Sequence, residues 1–200
     1  MAPKKVLAQD QASQIEKIKP LTDCVFDSLS LKTKILEDRE FINCSFDGAI
    51  LTDSRFNGST FTGCNFSNAN VAGCNFFSAT FIECKLMGVS FSSAQSLIGV
   101  RFDRCNLEYA DFKGMDLAKQ DFSGSSFIET NFLAANLEKT IWSEARILNC
   151  NFTKASLIQA DFRGAILQGI NLRSDEFKGI IISPAQGISL LEESGFTVLE

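Results

Sequence analysis

The 200-residue sequence contains no histidine, and it has only one tryptophan, one tyrosine and three prolines. Without histidine there is no Ser-His-Asp triad, no imidazole general base and no histidine ligand for a metal. No apolar run approaches a signal-peptide core or the roughly 18 to 20 residues of a membrane-spanning helix. These absences favour a protein that is not an enzyme, and its expected location is the cytoplasm.

Basic residues are also in deficit. The chain has 19 lysines and arginines against 24 acidic residues, which gives a formal net charge of -5. A general nucleic-acid binder carries a basic footprint for the phosphate backbone. The charge therefore argues against direct nucleic-acid binding.

The cysteines are few and odd in number, which suits free thiols better than a disulfide framework. Five of them recur at intervals of 20 or 21 residues, and a straight file of thiolates cannot supply the tetrahedral cage that zinc prefers. We predict that all seven are small core residues and that the protein has no metal or cofactor. They are Cys24, Cys44, Cys64, Cys74, Cys84, Cys105 and Cys150.

The strongest pattern present is a period of five. From Phe102 to Phe162 every fifth residue is large and apolar, and the same pattern runs upstream from Phe26 to Phe91. One extra residue lies between Phe91 and Leu97. A period of five matches neither the 3.6 of a helix nor the 2 of a strand, so a repeat architecture is indicated.

A second pattern has a period of twenty. A small residue lies two positions before each large one, and Asn or Asp often lies between them. Once the extra residue is allowed for, residues 20 apart match in type, which predicts that they stack in successive coils. The column of core aromatics is Phe41, Phe61, Phe81, Phe102, Phe122, Trp142 and Phe162.

The repeat resembles the pentapeptide-repeat family, whose unit is written A(D/N)LXX. The stretches Ala110-Asp111-Phe112, Ala135-Asn136-Leu137 and Ala160-Asp161-Phe162 reproduce it. The resemblance covers about residues 24 to 182. It implies an all-β fold, a right-handed quadrilateral parallel β-helix with four pentapeptides per coil.

Three regions are predicted: an N-terminal tail or short helix over 1–20, the β-helix over 21–182, and a C-terminal helix and tail over 183–200. The helix prediction rests on Ser183 as N-cap, Pro184 at the first helical position and Gln186 completing a capping box. An open last coil needs a cap or a partner. We expect both a cap and a homodimer interface here, formed by Ile188, Leu190, Leu191, Phe196, Val198 and Leu199.

The array has irregular places. The extra residue falls within Ser92–Ser96, which is either a one-residue bulge or the remnant of a functional loop. Met115 and Gln120 are too large or too polar for the small position, and Asp175 also departs from the pattern. At Met115, Gln120 and Asp175 we expect local distortion rather than chemistry.

The C-terminal segment from Gln186 to Val198 resembles the Qnr, MfpA, AlbG and McbG branch of the family. That branch implies a homodimeric rod that imitates DNA and occupies the DNA site of DNA gyrase or topoisomerase IV. It also implies antibiotic-resistance roles, although only one extra residue stands where Qnr members carry projecting loops. The candidate partner surface is Asp103, Glu108, Asp111, Asp116, Asp121 and Asp161.

The alternative is a general protein-interaction scaffold with another partner and no topoisomerase role. It would use apolar residues that the repeat places outward. These are Phe77, Ile82, Met87, Ile98, Ile128, Leu133, Leu148 and Ile158.

Overall fold

The computed structural model describes residues 5–6, 15–17, 21–169, 175–193 and 195–198. Of the predicted N-terminal tail, residues 1–4, 7–14 and 18–20 therefore lie outside it. The strands are β1 (Lys5–Val6), β2 (Leu21–Thr22), β3 (Cys24–Val25), β4 (Glu40–Ile42), β5 (Thr60–Thr62), β6 (Thr80–Ile82), β7 (Arg101–Asp103), β8 (Ser126–Ile128), β9 (Arg146–Leu148) and β10 (Ile166–Gln168). One helix, α1, spans Pro184–Glu193.

The strands pair in parallel, each with the strand one coil away. The register places Phe41 beside Phe61, Phe61 beside Phe81, and Phe81 beside Phe102. Isolated bridges continue the pairing on the remaining sides of each coil, as from Ser30 to Ile50. The predicted four-sided parallel β-helix, with a helix at its C-terminal end, is confirmed.

The rod has four faces, each named here by its column of buried residues. Face A is centred on Phe41, Phe61, Phe81, Phe102, Phe122, Trp142 and Phe162. Face B follows it along the chain and is centred on Phe46, Phe66, Leu86, Leu107, Phe127 and Ile147. Face C is centred on Leu51, Val71, Phe91, Phe112, Phe132 and Phe152, and face D on Phe56, Phe76, Leu97, Leu117, Leu137 and Leu157.

The aromatic column of face A is the continuous core predicted from the sequence. Ring centroids of Phe61 lie 4.8 Å from those of both Phe41 and Phe81. Further along, the Trp142 ring lies 4.6 Å from Phe122 and 5.3 Å from Phe162. These distances follow from the strand spacing of about 4.8 Å, because each ring lies directly above its neighbour in the next coil.

The corners between faces use left-handed backbone. The residue two positions after each large buried residue of a column, except Phe91, has a positive φ, as at Asn43 (53°) and Lys119 (64°). Gly73, with φ 69°, has a second reason to be glycine, because a Cβ there would lie 2.2 Å from Oδ1 of Asp53.

The first coil is covered by residues that precede it. Strand β1 pairs with β3, and the Ile15 side chain is fully buried. Arg39 stands in a position that later coils give to small residues, and its guanidinium donates to the carbonyl of Glu16. A charged side chain is tolerated there because it finds a partner at the end of the rod.

The widest interruption of the hydrogen-bond ladder within the described residues covers two neighbouring faces, whereas elsewhere single bridges are missing, as between Asn70 and Ser90 on face C. On face D no backbone hydrogen bond joins residues 96–99 to 116–118, and on face A none joins 101–104 to 121–123. The centroids of Phe102 and Phe122 are accordingly 6.2 Å apart. We call this interruption the gap. The distortion expected at Met115 and Gln120 is confirmed, because both residues belong to the coil that borders the gap.

Candidate functional site

The interior leaves no room for a site, so the outer faces and the ends of the rod are the candidates. The seven cysteines are thiols and not disulfides; six are buried and Cys150 is half-buried. Burial raises the pKa of Cys74 to about 12 and that of Cys150 to about 11. Thiols of this kind stay protonated at neutral pH and are poor nucleophiles.

Clusters of metal ligands and membrane-spanning helices are absent from the described residues. In that part of the chain, no group of three or more His, Cys, Asp and Glu side chains is placed to hold a metal ion. None of the helices described there has the length and hydrophobicity to cross a bilayer.

The acidic candidates do not converge on one face. Asp103, Asp121 and Asp161 lie on face A, and Glu108 lies on the adjacent face B. Asp111 lies on face C and Asp116 on face D. The structure therefore brings four of the six onto two neighbouring faces and separates the other two.

Some acidic side chains on face A have basic partners. Arg104 contacts Glu83 at 3.2 Å and Asp103 at 2.9 Å. Arg163 contacts Asp161 at 2.6 Å, and its hydrogen bonds lower the pKa of that carboxyl. These pairs are exposed to solvent, so they add little stability. Their main effect is to interrupt the negative potential of the face.

Asp111 and Asp116 take part in ladders that run between coils. Nδ2 of Asn131 donates to Oδ1 of Asp111 at 2.7 Å, and Nδ2 of Asn151 donates to Oδ1 of Asn131 at 3.0 Å. Asn136 donates to Asp116 in the same way at 2.9 Å. These two carboxylates therefore hold neighbouring coils together, a role that their place in the repeat did not indicate.

Acidic residues nevertheless outnumber basic ones on one side of the rod. The acidic residues on faces A and B are Asp23, Asp27, Glu40, Asp47, Glu83, Asp103, Glu108, Asp121, Glu129, Glu144 and Asp161. The basic ones there are Arg39, Lys85, Arg101, Arg104, Arg146 and Arg163. On faces C and D the two signs are close to balanced: Glu37, Asp38, Asp53, Asp111, Asp116, Glu138 and Glu176 against Lys32, Lys34, Arg55, Lys113, Lys119, Lys139, Lys154 and Lys178.

The helix α1 is held against the last described coil by its own N-terminus. The Ser183 amide donates to Oε1 of Gln186 at 2.8 Å, and the Gln186 amide donates to Oγ of Ser183 at 3.3 Å, which is the predicted capping box. Nε2 of Gln186 also donates to the carbonyls of Phe162 and Ala165, both at 2.7 Å. Gln186 thus satisfies backbone groups that an ending β-helix leaves open.

Apolar side chains remain exposed around α1. Leu190 is buried, whereas Ile188 and Leu191 are 44% and 43% exposed and Phe196 is 54% exposed. Val198 is half-buried, and Leu199 lies outside the described residues.

A groove of about 300 Å³ separates α1 from β10 in this region. Ile166, 52% exposed, lines it and was not among the sequence candidates. Ile166 could have been found from the sequence, because it directly precedes a large buried residue. Other repeats often have Asn or Asp at that outward position.

Comparison with known proteins places this architecture in a family. The model described as "Pentapeptide repeat region" matches residues 54–132, and the model described as "Pentapeptide repeats (8 copies)" matches residues 130–173. Together they span more than half of the sequence, and the chain belongs to the pentapeptide-repeat family. No curated protein matches.

Solved structures share the fold at low sequence identity. A trypsin-treated variant of QnrB1, a plasmid-mediated fluoroquinolone resistance protein, is 22% identical with a TM-score of 0.51, covering 90% of this chain and 98% of that chain. A second such variant is 19% identical with a TM-score of 0.52 and full coverage of both chains.

HetL, a protein involved in heterocyst differentiation regulation from the cyanobacterium Nostoc sp. strain PCC 7120, is 23% identical with a TM-score of 0.52. That match covers 88% of this chain and 80% of HetL. The similarity to all three structures is one of fold, and the chain is a repeat scaffold of this type.

The buried thiols predict a pH-dependent stability. Because burial raises the pKa of Cys74 from 9.0 to about 12, its stabilising contribution is complete below about pH 9 and is lost as the pH rises through 12. Urea unfolding between pH 7 and 11 should show a falling free energy of unfolding. The variant Cys74→Ser is the matched control, because serine occupies the equivalent buried positions Ser54 and Ser59. An equal fall in parent and variant would contradict the assignment to this thiol.

Proposed function

We propose that the protein is a non-enzymatic, homodimeric rod that imitates DNA and binds a type II topoisomerase, DNA gyrase or topoisomerase IV. Binding would modulate the topoisomerase or protect it from inhibitors. The observation that carries the proposal is the acidic excess on two adjacent faces, A and B, along the length of the rod. A basic groove shaped for a DNA duplex is complementary to such a surface.

The length of the rod also supports the proposal that the protein imitates DNA. Coils spaced by about 4.8 Å give a column about 38 Å tall for eight coils. Two such columns joined end to end measure about 76 Å, similar to about 22 base pairs of duplex DNA. A rod of this length matches the extended DNA groove of a topoisomerase better than it matches a small-molecule site.

Exposed apolar residues at the C-terminal end support the proposal of a homodimer. Ile166, Ile188, Leu191 and Phe196 expose apolar surface beside the groove between α1 and β10. Capping the last coil needs only the buried Leu190 and the hydrogen bonds of Gln186. The remaining apolar surface fits a second copy, because a two-fold interface brings the same patch to itself.

Charge reversal on faces A and B tests the topoisomerase proposal. The parent protein should change the rate of gyrase supercoiling or its inhibition by a quinolone. The pair Glu129→Lys and Glu144→Lys should weaken this effect about tenfold or more, because it places positive charge on the acidic side. The matched control is Asp38→Lys with Asp53→Lys, which makes the same charge change at corners of faces D and C.

All four substituted residues are exposed and have positive φ, so both variants change charge at the same kind of corner position. Equal loss in both variants would contradict a role for faces A and B. Unchanged supercoiling and unchanged drug inhibition with excess parent protein would remove the topoisomerase proposal altogether.

Substitution of the exposed apolar residues tests the dimer. Light scattering of the parent should give twice the 22.0 kDa mass of the chain. Leu191→Glu combined with Phe196→Glu should give the single-chain mass, because buried unpaired carboxylates oppose association. Ile98→Glu, at a 70% exposed site on face D, is the control and should remain dimeric. A parent that has the single-chain mass at high concentration would contradict the interface.

A second candidate is a scaffold that binds another class of protein through apolar residues on face D. Phe77 and Ile98 are 49% and 70% exposed and belong to successive coils, one above the other. The arginines that pair with acidic residues on face A also favour this reading. Affinity capture that recovers no topoisomerase, but recovers a partner lost in Phe77→Ser with Ile98→Ser, would favour the scaffold over the DNA mimic.

A further inference from the structure

The gap divides the β-helix into two arms. The N-terminal arm comprises residues 21–109 and the C-terminal arm residues 110–169. On faces D and A, the backbone groups that would join the arms face one another without pairing. A cavity of about 80 Å³ opens there on face A, lined by Arg101, Phe102, Asp103, Gln120, Asp121 and Ser123.

The arms remain joined on the two other faces. On face B the amides of Leu107 and Tyr109 donate to the carbonyls of Ser126 at 2.8 Å and Ile128 at 2.9 Å. On face C the amide of Ser92 donates to the carbonyl of Asp111 at 3.0 Å. The contact between arms is therefore continuous on one side of the rod and open on the opposite side.

Side chains strengthen the joined side. Oγ of Ser92 donates to Oδ2 of Asp111 at 2.5 Å, and Asn131 donates to Oδ1 of the same carboxylate. Asp111 thus connects the coil before the gap to the coil after it on face C. A fixed edge opposite an open one is the arrangement that a hinge requires.

The open side has a cause in the sequence. Met115 and Gln120 stand in the small inward position on faces D and A, and both are half-buried. The next two small inward positions along the chain hold Ser125 and Thr130, and both of these side chains are fully buried. A glutamine amide cannot enter the dry interior without partners, and the methionine is larger than the space. The extra residue in Ser92–Ser96 shifts the coil on the other side of the gap.

We propose that the gap is a bending joint. The two arms rotate about the edge where faces B and C stay paired, and the gap on faces D and A widens or closes as they do. Elsewhere the backbone ladder resists bending, because no other coil step within residues 21–169 loses its hydrogen bonds on two whole faces. The rod is consequently stiff within each arm and compliant between them, which lets its long axis follow a curved partner surface.

Distances between spin labels on opposite sides of the rod test the joint. Ile42→Cys with Ser143→Cys labels face A across the gap, and Asp47→Cys with Leu148→Cys labels face B. Each pair spans five coil spacings, about 24 Å. In pulsed electron paramagnetic resonance, the face A pair should give a distance distribution at least about twice as wide as the face B pair. The parent without new cysteines is the labelling control, because six of its thiols are buried and the seventh is half-buried.

A variant with small residues at positions 115 and 120, called the repaired rod, tests whether Met115 and Gln120 cause the joint. Met115→Ala with Gln120→Ala restores the small inward residues and should narrow the face A distribution to the width of face B. Circular dichroism establishes that this variant is folded. Equal widths for the two pairs in the unrepaired rod overturn the joint, whether or not the repaired variant folds. A wide face A distribution that repair leaves unchanged overturns the assignment to Met115 and Gln120.

Discussion

Pairing between residues about twenty positions apart is the constraint on which the rest of the structure depends. Outside the gap, backbone amides on each face bond to carbonyls of a neighbouring coil, so the side chains of one column are held at the strand spacing. That spacing lets Phe61 stack against both Phe41 and Phe81. It also fixes which side chains face outward, because the inward positions are already taken. The surface chemistry of the rod is consequently a product of its core.

Much of the fold could be predicted from the sequence, because the same five-residue pattern recurs in every coil. The period of five identifies the buried column, the period of twenty identifies the coil, and both survive the extra residue near Ser92–Ser96. The helix α1 was predictable because Ser183 and Gln186 form a local capping motif. Local chemistry and a repeated pattern are the two kinds of information that a single sequence carries well.

The surface was less predictable because it depends on which face each residue occupies. Asp111 and Asp121 have the same place in the repeat, yet they lie on faces C and A. Asn131 turns Asp111 into a structural group, and no such partner is needed at Asp121. The gap was likewise only partly predictable. Met115 and Gln120 predicted local distortion, but the loss of pairing on two whole faces depends on the coils on both sides of the gap.

These features describe a rod that presents shape and charge rather than a reactive centre. The most direct test is amide exchange measured residue by residue. Amides that pair between coils, such as those of Leu107 and Tyr109, should exchange slowly, whereas those of Phe102 and Arg104 at the gap should exchange much faster. Slow exchange along the paired faces and much faster exchange at the gap is the predicted result. Uniform rapid exchange at the paired positions of all four faces would contradict the stacked-coil structure itself.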